Sequence, residues 1–547
     1  MSEYFLPILF LATRLEAFPR SALFINWFIL LVLLLGPRLL YRAFVDGSLG
    51  GILQRTSIAE RIPVILVGAS DNAELFIRAT SSGAASNYRV VGIIDDDLDK
   101  LGRYLRNVKI YGPSNKLAEI FKNLKQRGLQ PQRLILTSDI TEPDRLNKLL
   151  AAADGLSLPL SRLPRLTDFQ NSDIKSIEVK PIAIEDLLGR PQATLDLDSV
   201  EKLVRGRNVC VTGAGGTIGS ELCQQISDFA PSNLILIDNS EYNLYSIDKR
   251  LEQLNSSIPR KLYLADVRDR KRIDDTFSKE LPEVVFHAAA LKHVPMVELN
   301  PNEGVLTNVI GTRNVADACV EFKVKIMVLI STDKAVNPTN IMGATKRVAE
   351  SYCQALGQTL QANKGSLKIV TVRFGNVLGS SGSVVPLFQK QISEGGPVTV
   401  THQEITRYFM TTREAVQLVL QASANNKIVG SGGIYVLDMG DPVHINDLAQ
   451  QMIRLAGHIP NVDIKVIFTG LRPGEKLFEE LFHPDEIPTP TSTPGVLQAK
   501  TRPRNYNNIS SIISQIESAA LKGQSIETIT LINSLVPEYK VEVNTKA

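Results

Sequence analysis

The first forty residues differ from the rest of the chain in their hydrophobic pattern. Residues Ala22 to Leu35 carry no charge, and with their flanks the run from Ser21 to Leu40 approaches the roughly 20 residues that cross a bilayer. A shorter apolar run, Tyr4 to Ala12, precedes it. We expect N-terminal transmembrane helices within residues 1–45, and a buried core helix is the alternative.

Basic residues flank the longer apolar run unequally. Two arginines lie in residues 13–21 and four lie in residues 37–61. Because basic residues favour the cytoplasmic side of a membrane helix, the remainder of the chain is expected to face the cytoplasm.

Strands and helices alternate from residue 62 onward, which predicts a parallel α/β domain over residues 60–155. Gly68, Ser70 and Ala73 occupy the three glycine positions of a G-x-G-x-x-G turn, so two of its three glycines are missing. A structural or regulatory domain with a degenerate pocket is favoured over an active dinucleotide site. Residues 156–205 are predicted to be a linker.

A second α/β pattern begins at residue 206 and carries stronger signals. The apolar strand Asn208 to Thr212 runs directly into Gly213-x-x-Gly216-x-x-Gly219, whose glycines permit a tight turn, a close approach to pyrophosphate and helix packing. The next strand ends at Asp238, 19 residues after Gly219. An acidic side chain there accepts hydrogen bonds from ribose and repels a 2′-phosphate, so the pattern predicts NAD rather than NADP.

The other cofactor-binding candidates lie at strand ends or beside this turn. The full set is Gly213, Gly216, Thr217, Ile218, Gly219, Asp238, Asn239, Asp266, Val267, Ala288, Ala289 and Lys346. A later strand, Ile326 to Ile330, ends at the polar run Ser331 to Lys334. Ligands bind at the carboxyl ends of parallel strands, so this run is expected to face the nicotinamide, although an ordinary ion pair of Asp333 and Lys334 is the alternative.

Composition excludes several classes of protein. Sixty Lys and Arg residues against 57 Asp and Glu leave a net charge of +3, which argues against nucleic-acid binding through bulk positive charge. Four widely spaced cysteines with no CxxC pair indicate neither a disulfide framework nor a metal site, and favour a reducing compartment.

Several longer motifs together resemble the extended short-chain dehydrogenase/reductases. They are the Gly213–Gly219 turn, HAAALKHVP from His287, STDKAVNPTNIMGATK from Ser331, RFGNVLGSSGSVVPLF from Arg373 and RPGEKLFEEL from Arg472. More narrowly, the chain resembles the membrane-bound nucleotide-sugar 4,6-dehydratases of bacterial polysaccharide biosynthesis, which act on UDP-N-acetylglucosamine.

The resemblance implies an overall organisation. Membrane helices would be followed by two Rossmann-like, doubly wound parallel-sheet domains, the second spanning residues 206–485 with a small C-terminal substrate-binding lobe. Residues 486–547 would form a linker and a tail of unknown role. The protein is expected in the bacterial inner membrane, with its catalytic domains in the cytoplasm and as a homo-oligomer.

The resemblance also implies catalytic roles. Lys334 would act at C5 and Asp333 at C6, Thr332 would hold the C4 hydroxyl, and Lys346 would hold the nicotinamide ribose. The wider superfamily has tyrosine where this chain has Met342, four residues before Lys346. In having methionine at this position, the chain resembles the membrane-bound subgroup of these dehydratases. This residue favours the type of enzyme that retains the configuration at C5. Asp333 and an ordered water are both candidates for taking the C4 proton.

The nucleotide-sugar is expected to contact Lys292, His293, Asn376, Arg407 and Arg472. The two arginines suit a diphosphate because a guanidinium matches phosphate oxygens, although a solvated surface arginine is the alternative for each.

Two other functions compete with the dehydratase. A nucleotide-sugar 4-epimerase uses the same NAD but needs no lysine at C5, so Lys334 argues against it. A non-catalytic membrane scaffold of a glycan pathway draws support only from the missing tyrosine and the degenerate first domain.

Overall fold

We describe a computed structural model of the chain. It describes residues 25–35, 37, 61–82, 87–137, 143–156, 158–163, 180–181, 196–254, 258–380, 382–424, 432–499 and 505–539. The chain divides into two compact units. The N-terminal unit is residues 1–138 with 161–180, and the C-terminal unit is residues 139–160 with 181–547.

The predicted N-terminal transmembrane helices are not found in the described structure. A helix covers residues 25–35, which at 1.5 Å per residue is about 16 Å, half of the roughly 30 Å of a hydrocarbon core. Among the described residues, no helix is both long enough and apolar enough to cross a bilayer. The prediction was therefore wrong for this part of the chain, and the run Tyr4 to Ala12 lies outside the described residues.

The first elements of the chain form a five-stranded sheet in the order β2-β1-β5-β6-β7, with β1 parallel to both β2 and β5. Its apolar strands pack on helix α1 through Val64, Leu66, Phe76, Ile93 and Ile135. The elements are β1 (Ile62–Val67), α1 (Asp71–Ser82), β2 (Tyr88–Ile94), β3 (Tyr104–Leu105), β4 (Val108–Lys109), α2 (Leu117–Gln126), β5 (Arg133–Leu136), α3 (Pro143–Asp154), β6 (Leu160–Arg162) and β7 (Lys180–Pro181).

The turn after β1 is closed by the unit's own side chains. The Ala69 backbone N–H donates to Oδ2 of Asp95 at 2.6 Å, and Nζ of Lys100 lies 3.3 Å from the same oxygen. A phosphate would have to displace this carboxylate to reach that N–H, which gives a physical reason for the degenerate glycine pattern.

The C-terminal unit contains a nine-stranded sheet in the order β10-β9-β8-β11-β12-β13-β18-β22-β21. The first seven strands are parallel to one another, and β22 is antiparallel to both of its neighbours, β18 and β21. The strands of the unit are β8 (Asn208–Thr212), β9 (Asn233–Asp238), β10 (Arg260–Leu264), β11 (Val284–His287), β12 (Ile326–Thr332), β13 (Lys368–Phe374), β14 (Asn376–Val377), β15 (Val398–Val400), β16 (Thr406–Arg407), β17 (Phe409–Met410), β18 (Gly433–Leu437), β19 (Val443–His444), β20 (Val466–Phe468), β21 (Pro488–Pro490) and β22 (Val496–Ala499).

Helices cover both faces of this sheet, because its central strands are apolar along their whole length and must be buried on both sides. The helices are α4 (Leu197–Val204), α5 (Thr217–Ser227), α6 (Glu241–Leu254), α7 (Arg270–Glu280), α8 (Val294–Leu299), α9 (Pro301–Val305), α10 (Gly311–Glu321), α11 (Ile341–Ala362), α12 (Val384–Ser393), α13 (Thr412–Ala424), α14 (Ile445–Leu455), α15 (Tyr506–Leu521) and α16 (Ser525–Leu535).

The strand order places a binding crevice at the carboxyl ends of the neighbouring strands β8 and β11. The chain proceeds from β8 outward through β9 to β10, then returns to continue from β11 on the other side of β8. A crevice opens outside the carboxyl ends of neighbouring strands where the order reverses. This α/β architecture is Rossmann-like, as expected.

A small lobe lies after β13 in the same unit. It contains the strand pairs β14–β17, β15–β20 and β16–β19 with helices α12 and α14. Its own apolar core includes Leu378, Phe388, Val398, Leu448 and Ile453.

The C-terminal helices α15 and α16 pack against α11. Ile509, Ile513 and Ile516 lie in the same core cluster as Val348 and Tyr352 of α11. The stretch expected to be a tail of unknown role therefore contributes to the main core of the C-terminal unit.

Candidate active site

The glycine turn after β8 leaves no room for side chains at three of its positions, Gly213, Gly215 and Gly219. Gly213 has φ +66°, and a Cβ there would lie 2.7 Å from the backbone nitrogen of Ala289. A Cβ on Gly219 would overlap the carbonyl oxygen of Gly213. Helix α5 begins after Gly216, which provides no side-chain cap. Thr217 and Ile218 form its first turn, so their N–H groups have no partner within the helix.

Asp238, at the end of β9, is hydrogen-bonded to this turn. Its carboxylate is buried, and Oδ2 accepts the Gly215 N–H at 2.9 Å while Oδ1 accepts the Ser240 N–H at 2.9 Å. Each carboxylate oxygen has a second lone pair, which can accept a hydrogen bond from a ribose hydroxyl.

Three further predicted cofactor residues, Asn239, Asp266 and Val267, lie just after the ends of β9 and β10. Nδ2 of Asn239 lies 3.5 Å from Oδ2 of Asp266, and Arg268 forms an ion pair with the same oxygen at 2.7 Å. Burial would raise the pKa of Asp266, but the hydrogen bonds and charge of Arg268 lower it overall. Val267 is buried against Gly311, where a Cβ would lie 2.6 Å from its side chain.

The end of β11 lies next to β8. Ala288 donates its N–H to the Thr212 carbonyl at 3.1 Å, and Ala289 adjoins Gly213 as described above. The structure thus brings together the two alanines, the glycine turn and Asp238. A cradle that excludes Cβ atoms, an uncapped helix N-terminus and a buried carboxylate fit a bound dinucleotide.

His287, which we did not single out from the sequence, lies beneath this cradle. Its Nδ1 is 2.7 Å from Oγ1 of Thr212 and its Nε2 is 3.0 Å from Oγ1 of Thr312. Burial, aided by the positive charge of Lys346, lowers the pKa of His287 to about 3. The ring is therefore neutral at physiological pH and supports the end of β8.

The candidate catalytic side chains meet where β12 ends. Oγ1 of Thr332 donates to Oδ1 of Asp333 at 2.9 Å. Nζ of Lys334 donates to the same carboxylate oxygen at 3.0 Å and to Oδ1 of Asn376 at 3.0 Å. Asp333 is 1% exposed, and its Oδ2 has no hydrogen-bond partner among the described residues. The structure therefore places Thr332, Asp333, Lys334 and Asn376 in direct contact.

Lys334 rests as an ammonium. Burial would lower its pKa, but the carboxylates of Asp333 and Glu479 raise it further than burial and Arg407 lower it. The nearer oxygen of Glu479 lies 3.4 Å from Nζ. About a fifth of the Lys334 side chain remains exposed, so solvent and substrate can reach it.

Helix α11 approaches this turn closely. Its cap Asn340 accepts the Gly343 N–H at 2.8 Å, and a Cβ on Gly343 would overlap the Lys334 carbonyl. Met342 is buried in the main core. Lys346 donates to the Ile330 carbonyl at 2.7 Å, and burial lowers its pKa to about 8.

Lys292 and His293 lie between β11 and α8. Both are surface-exposed, although partial enclosure by the surrounding protein lowers both of their pKa values. His293 adjoins Gly382, which has φ +70° and leaves no space for a Cβ beside the imidazole. The structure thus places His293 against the glycine-rich loop that follows Asn376.

The two candidate diphosphate arginines are placed very differently. Arg407 is 7% exposed and donates to the carbonyls of Thr406 at 2.7 Å and Lys476 at 2.8 Å. Its guanidinium also lies 3.3 Å from Glu475 and 3.6 Å from Glu479. These contacts differ from the expected diphosphate role, because a diphosphate would compete with two carboxylates.

Arg472 is exposed at the start of residues 472–480, which we call the 472–480 segment. This segment packs on residues 333–340, the turn between β12 and α11, which we call the catalytic turn because it carries the candidate residues Asp333 and Lys334. Thr339 and Asn340 donate to the Gly474 carbonyl at 2.9 and 3.0 Å, and Lys476 donates to the Val336 carbonyl at 2.9 Å. The segment positions Glu479 beside Lys334. Sequence reasoning missed this residue because the charged run EKLFEE does not distinguish a buried glutamate from a solvent-exposed one.

Comparison with known proteins places the chain in a family. Residues 209–501 match the family described as "Polysaccharide biosynthesis protein". The chain is 40% identical over 470 residues to the capsular polysaccharide biosynthesis protein CapD of Staphylococcus aureus, covering 85% of this chain and 75% of that relative. The chain belongs to the polysaccharide biosynthesis protein family.

Other relatives of this family member are named as enzymes. An inverting UDP-N-acetylglucosamine 4,6-dehydratase of Campylobacter jejuni is 34% identical over 286 residues, covering 52% of this chain and 80% of the relative. A UDP-glucose 4-epimerase of Rickettsia akari is 34% identical over 285 residues, covering 51% and 79%. The matched part of the chain is thus similar to both a nucleotide-sugar dehydratase and a nucleotide-sugar epimerase.

Proposed function

We propose that the chain is an NAD-dependent 4,6-dehydratase of a nucleotide sugar, UDP-N-acetylglucosamine, that retains the configuration at C5. Its product would be a 4-keto-6-deoxy sugar for a bacterial surface polysaccharide or glycan. The observation that carries the proposal is the contact of Asp333 and Lys334 at the end of β12, beside the dinucleotide cradle. An acid and a base in contact suit the removal of water across two adjacent carbons.

The cradle would hold the dinucleotide through Gly213, Gly216 and Gly219 at the pyrophosphate, Asp238 at the adenosine ribose and Lys346 at the nicotinamide ribose. The carboxylate of Asp238 favours NAD over NADP, because it would repel a 2′-phosphate. When bound, NAD would supply redox chemistry by accepting a hydride from C4 and giving the same hydride back at C6.

Each catalytic side chain then has one proton to hold or move. Thr332 orients the C4 hydroxyl. Asp333 takes the C4 proton on Oδ2, which is buried and has no hydrogen-bond partner among the described residues, and gives it to the departing C6 hydroxyl as water forms. Lys334 removes the C5 proton and returns it to the same face, which accounts for retention. Met342 cannot transfer a proton, so this scheme assigns no step to it.

A 4-epimerase is the second candidate, because a relative carries that name. Epimerisation leaves C5 and C6 untouched and would give Lys334 no proton to move. The lysine in contact with Asp333 at the end of β12 therefore favours the dehydratase.

The test is incubation of the full chain with UDP-N-acetylglucosamine in D₂O. We expect loss of one water, a 4-keto-6-deoxy product and deuterium at C5, read by mass spectrometry and NMR. The Lys334→Ala variant should retain NAD but lose both the dehydration and the deuterium incorporation at C5. UDP-N-acetylgalactosamine as product would favour the epimerase, and an unchanged sugar would contradict both candidates.

A further inference from the structure

Glu479 has a carboxylate in an unusual position for a surface segment. Its side chain is 3% exposed. Oε1 lies 3.4 Å from Nζ of Lys334 and 3.6 Å from Nε of Arg407. Oε2 is buried and has no hydrogen-bond partner among the described residues. A buried, half-satisfied carboxylate costs free energy, so its presence beside a candidate catalytic lysine needs an explanation.

The lysine has as many acceptors as it has protons to donate. An ammonium carries three N–H groups, and Nζ of Lys334 faces Oδ1 of Asp333, Oδ1 of Asn376 and Oε1 of Glu479. An ammonium in this setting cannot remove a proton from C5. One of its protons must leave first.

The proposed dehydration limits where that proton can go. Met342 stands in the position of a tyrosine that would take the C4 proton, so in the scheme above Asp333 takes it. Asp333 is then neutral and cannot also accept a proton from Lys334. Asn376 is an amide, and Arg407 is a cation. Glu479 is the remaining carboxylate that faces Nζ.

We infer that Glu479 is a positioning residue that holds Nζ of Lys334 and accepts the proton that Lys334 must release before it acts on C5. This inference rests on the proposed function. One N–H bond of Lys334 breaks, one O–H bond forms on Glu479, and the electron pair stays on nitrogen, so the ion pair becomes a neutral pair. Lys334 then takes the C5 proton and later returns it to C5, and Glu479 returns its own proton to Lys334.

The neighbouring charges suit a transient transfer. The guanidinium of Arg407 lies 3.6 Å from the same Oε1, so a positive charge faces the carboxylate once its proton has returned to Lys334. The contacts of Gly474 and Lys476 with the catalytic turn fix the 472–480 segment. The distance from Oε1 of Glu479 to Nζ of Lys334 therefore depends on the packing of this segment as well as on the Glu479 side chain.

The test compares Glu479→Gln, which keeps the shape and removes the acceptor, with the wild-type full chain on UDP-N-acetylglucosamine. We expect kcat at neutral pH to fall about 10- to 100-fold with KM within about twofold, as for loss of an acid–base contribution. The defect should shrink as pH rises, because Lys334 then loses its proton to solvent. Glu479→Asp should recover part of the rate.

Glu480→Gln is the matched control. It lies in the same segment and loses the same charge, but its carboxylate contacts Asn337 and Lys476 rather than Lys334. We expect the wild-type pH profile. A Glu479→Gln defect of equal size at every pH would assign Glu479 a purely structural role and overturn the inference.

A second readout needs no substrate. Competitive labelling of lysines with acetic anhydride, read by mass spectrometry, follows the neutral fraction of Lys334. Removing the facing carboxylate lowers the pKa of Lys334, so labelling in Glu479→Gln should begin at lower pH than in the wild type and in Glu480→Gln. Identical labelling in all three would overturn the inference. Failure of the wild type to dehydrate the sugar would instead reject the proposed function.

Discussion

Gly219 lies where the first turn of α5 crosses the carbonyl of Gly213. Gly219→Ala would force the helix away from the turn, and overpacking of this kind destabilises a fold by roughly 1–3 kcal/mol. We expect the variant to unfold at lower urea concentration and to purify without bound NAD. Absorbance of the nucleotide released on denaturation and a urea titration measure the two effects.

Gly216→Ala is the control for the urea titration. Gly216 has φ −70°, and a Cβ there would lie 3.3 Å from the nearest atom, the Gly213 oxygen. The variant should keep its folding stability within about 1 kcal/mol of the wild type. Equal urea midpoints for the Gly219→Ala variant and the wild type would contradict the tight-turn argument.

Asp238 supports a second prediction at the level of single residues. Asp238→Asn removes the negative charge while retaining one oxygen for the Gly215 N–H. We expect the preference for NAD over NADP to fall by about tenfold, because the repulsion of a 2′-phosphate is lost. Calorimetric titration of both dinucleotides into cofactor-free protein measures the ratio. An unchanged ratio would show that Asp238 does not face the ribose.

Single residues also show what a sequence can and cannot reveal. Glycines 213, 216 and 219 and Asp238 could be assigned because strand, turn and helix follow each other locally, and spacing defines the turn. Arg407 and Glu479 could not. They lie far from Lys334 in sequence, and whether a guanidinium faces a ligand or a carboxylate depends on how the 472–480 segment packs.

A buried ionic network joins α11, β13 and the loop before β21. Glu350 of α11 accepts hydrogen bonds from Arg373 of β13 at 2.7 Å and from Ser331 at 2.6 Å. Arg347 lies 3.1 Å from Glu350, and Glu486 forms an ion pair with Arg373 at 2.6 Å. Because α11 also carries Met342 and Lys346, this network fixes the helix that borders the site.

Glu350→Gln should destabilise the protein by about 3–5 kcal/mol, because it removes the buried carboxylate shared by Arg373 and Arg347 and leaves Glu486 as the remaining carboxylate beside Arg373. Burial would raise the pKa of Glu350, but Arg373 and Arg347 lower it to about 2. A lowered folded-state pKa contributes stability above the unfolded value of about 4.3, and that contribution is lost as pH falls toward 2.

Urea titrations of both proteins between pH 7 and pH 3.5 test this prediction. The wild type should lose stability below about pH 4.5, and the stability difference between wild type and Glu350→Gln should narrow as the Glu350 carboxylate becomes protonated in the unfolded wild-type chain. A variant as stable as the wild type at pH 7 would show that the network is not stabilising.

At the level of elements, local pattern predicted the strands well. The predicted strand Asn208 to Thr212 matches β8, and the predicted strand Ile326 to Ile330 is found two residues longer, as β12. Helix α5 begins at Thr217, inside the glycine motif, because Gly216 can serve as its cap residue. The apolar N-terminal run predicted a membrane helix, and among the described residues no helix is long and apolar enough to cross a bilayer.

At the scale of the C-terminal unit, the chain covers α11 with its own last helices. Ile509, Ile513 and Ile516 recur at helical spacing, a pattern that indicates an amphipathic helix but not its partner. The structure supplies the partner. Their cluster includes Val348 and Ala349 of α11, and Glu517 forms an ion pair with Arg313 of α10 at 2.6 Å.

A chain that ends at residue 504 should therefore fail to form a stable C-terminal unit. Each buried isoleucine of α15 and α16 contributes about 1.5–3 kcal/mol, so losing several removes as much free energy as the 5–15 kcal/mol that stabilises a typical domain. Size-exclusion chromatography and thermal unfolding measure the outcome, with a chain ending at residue 539 as the control. That control keeps the buried Ile532, Leu535 and Tyr539 and should unfold like the full chain. If the chain ending at residue 504 unfolded like the full chain, the core around α11 would be stable without α15 and α16, and the prediction would be wrong.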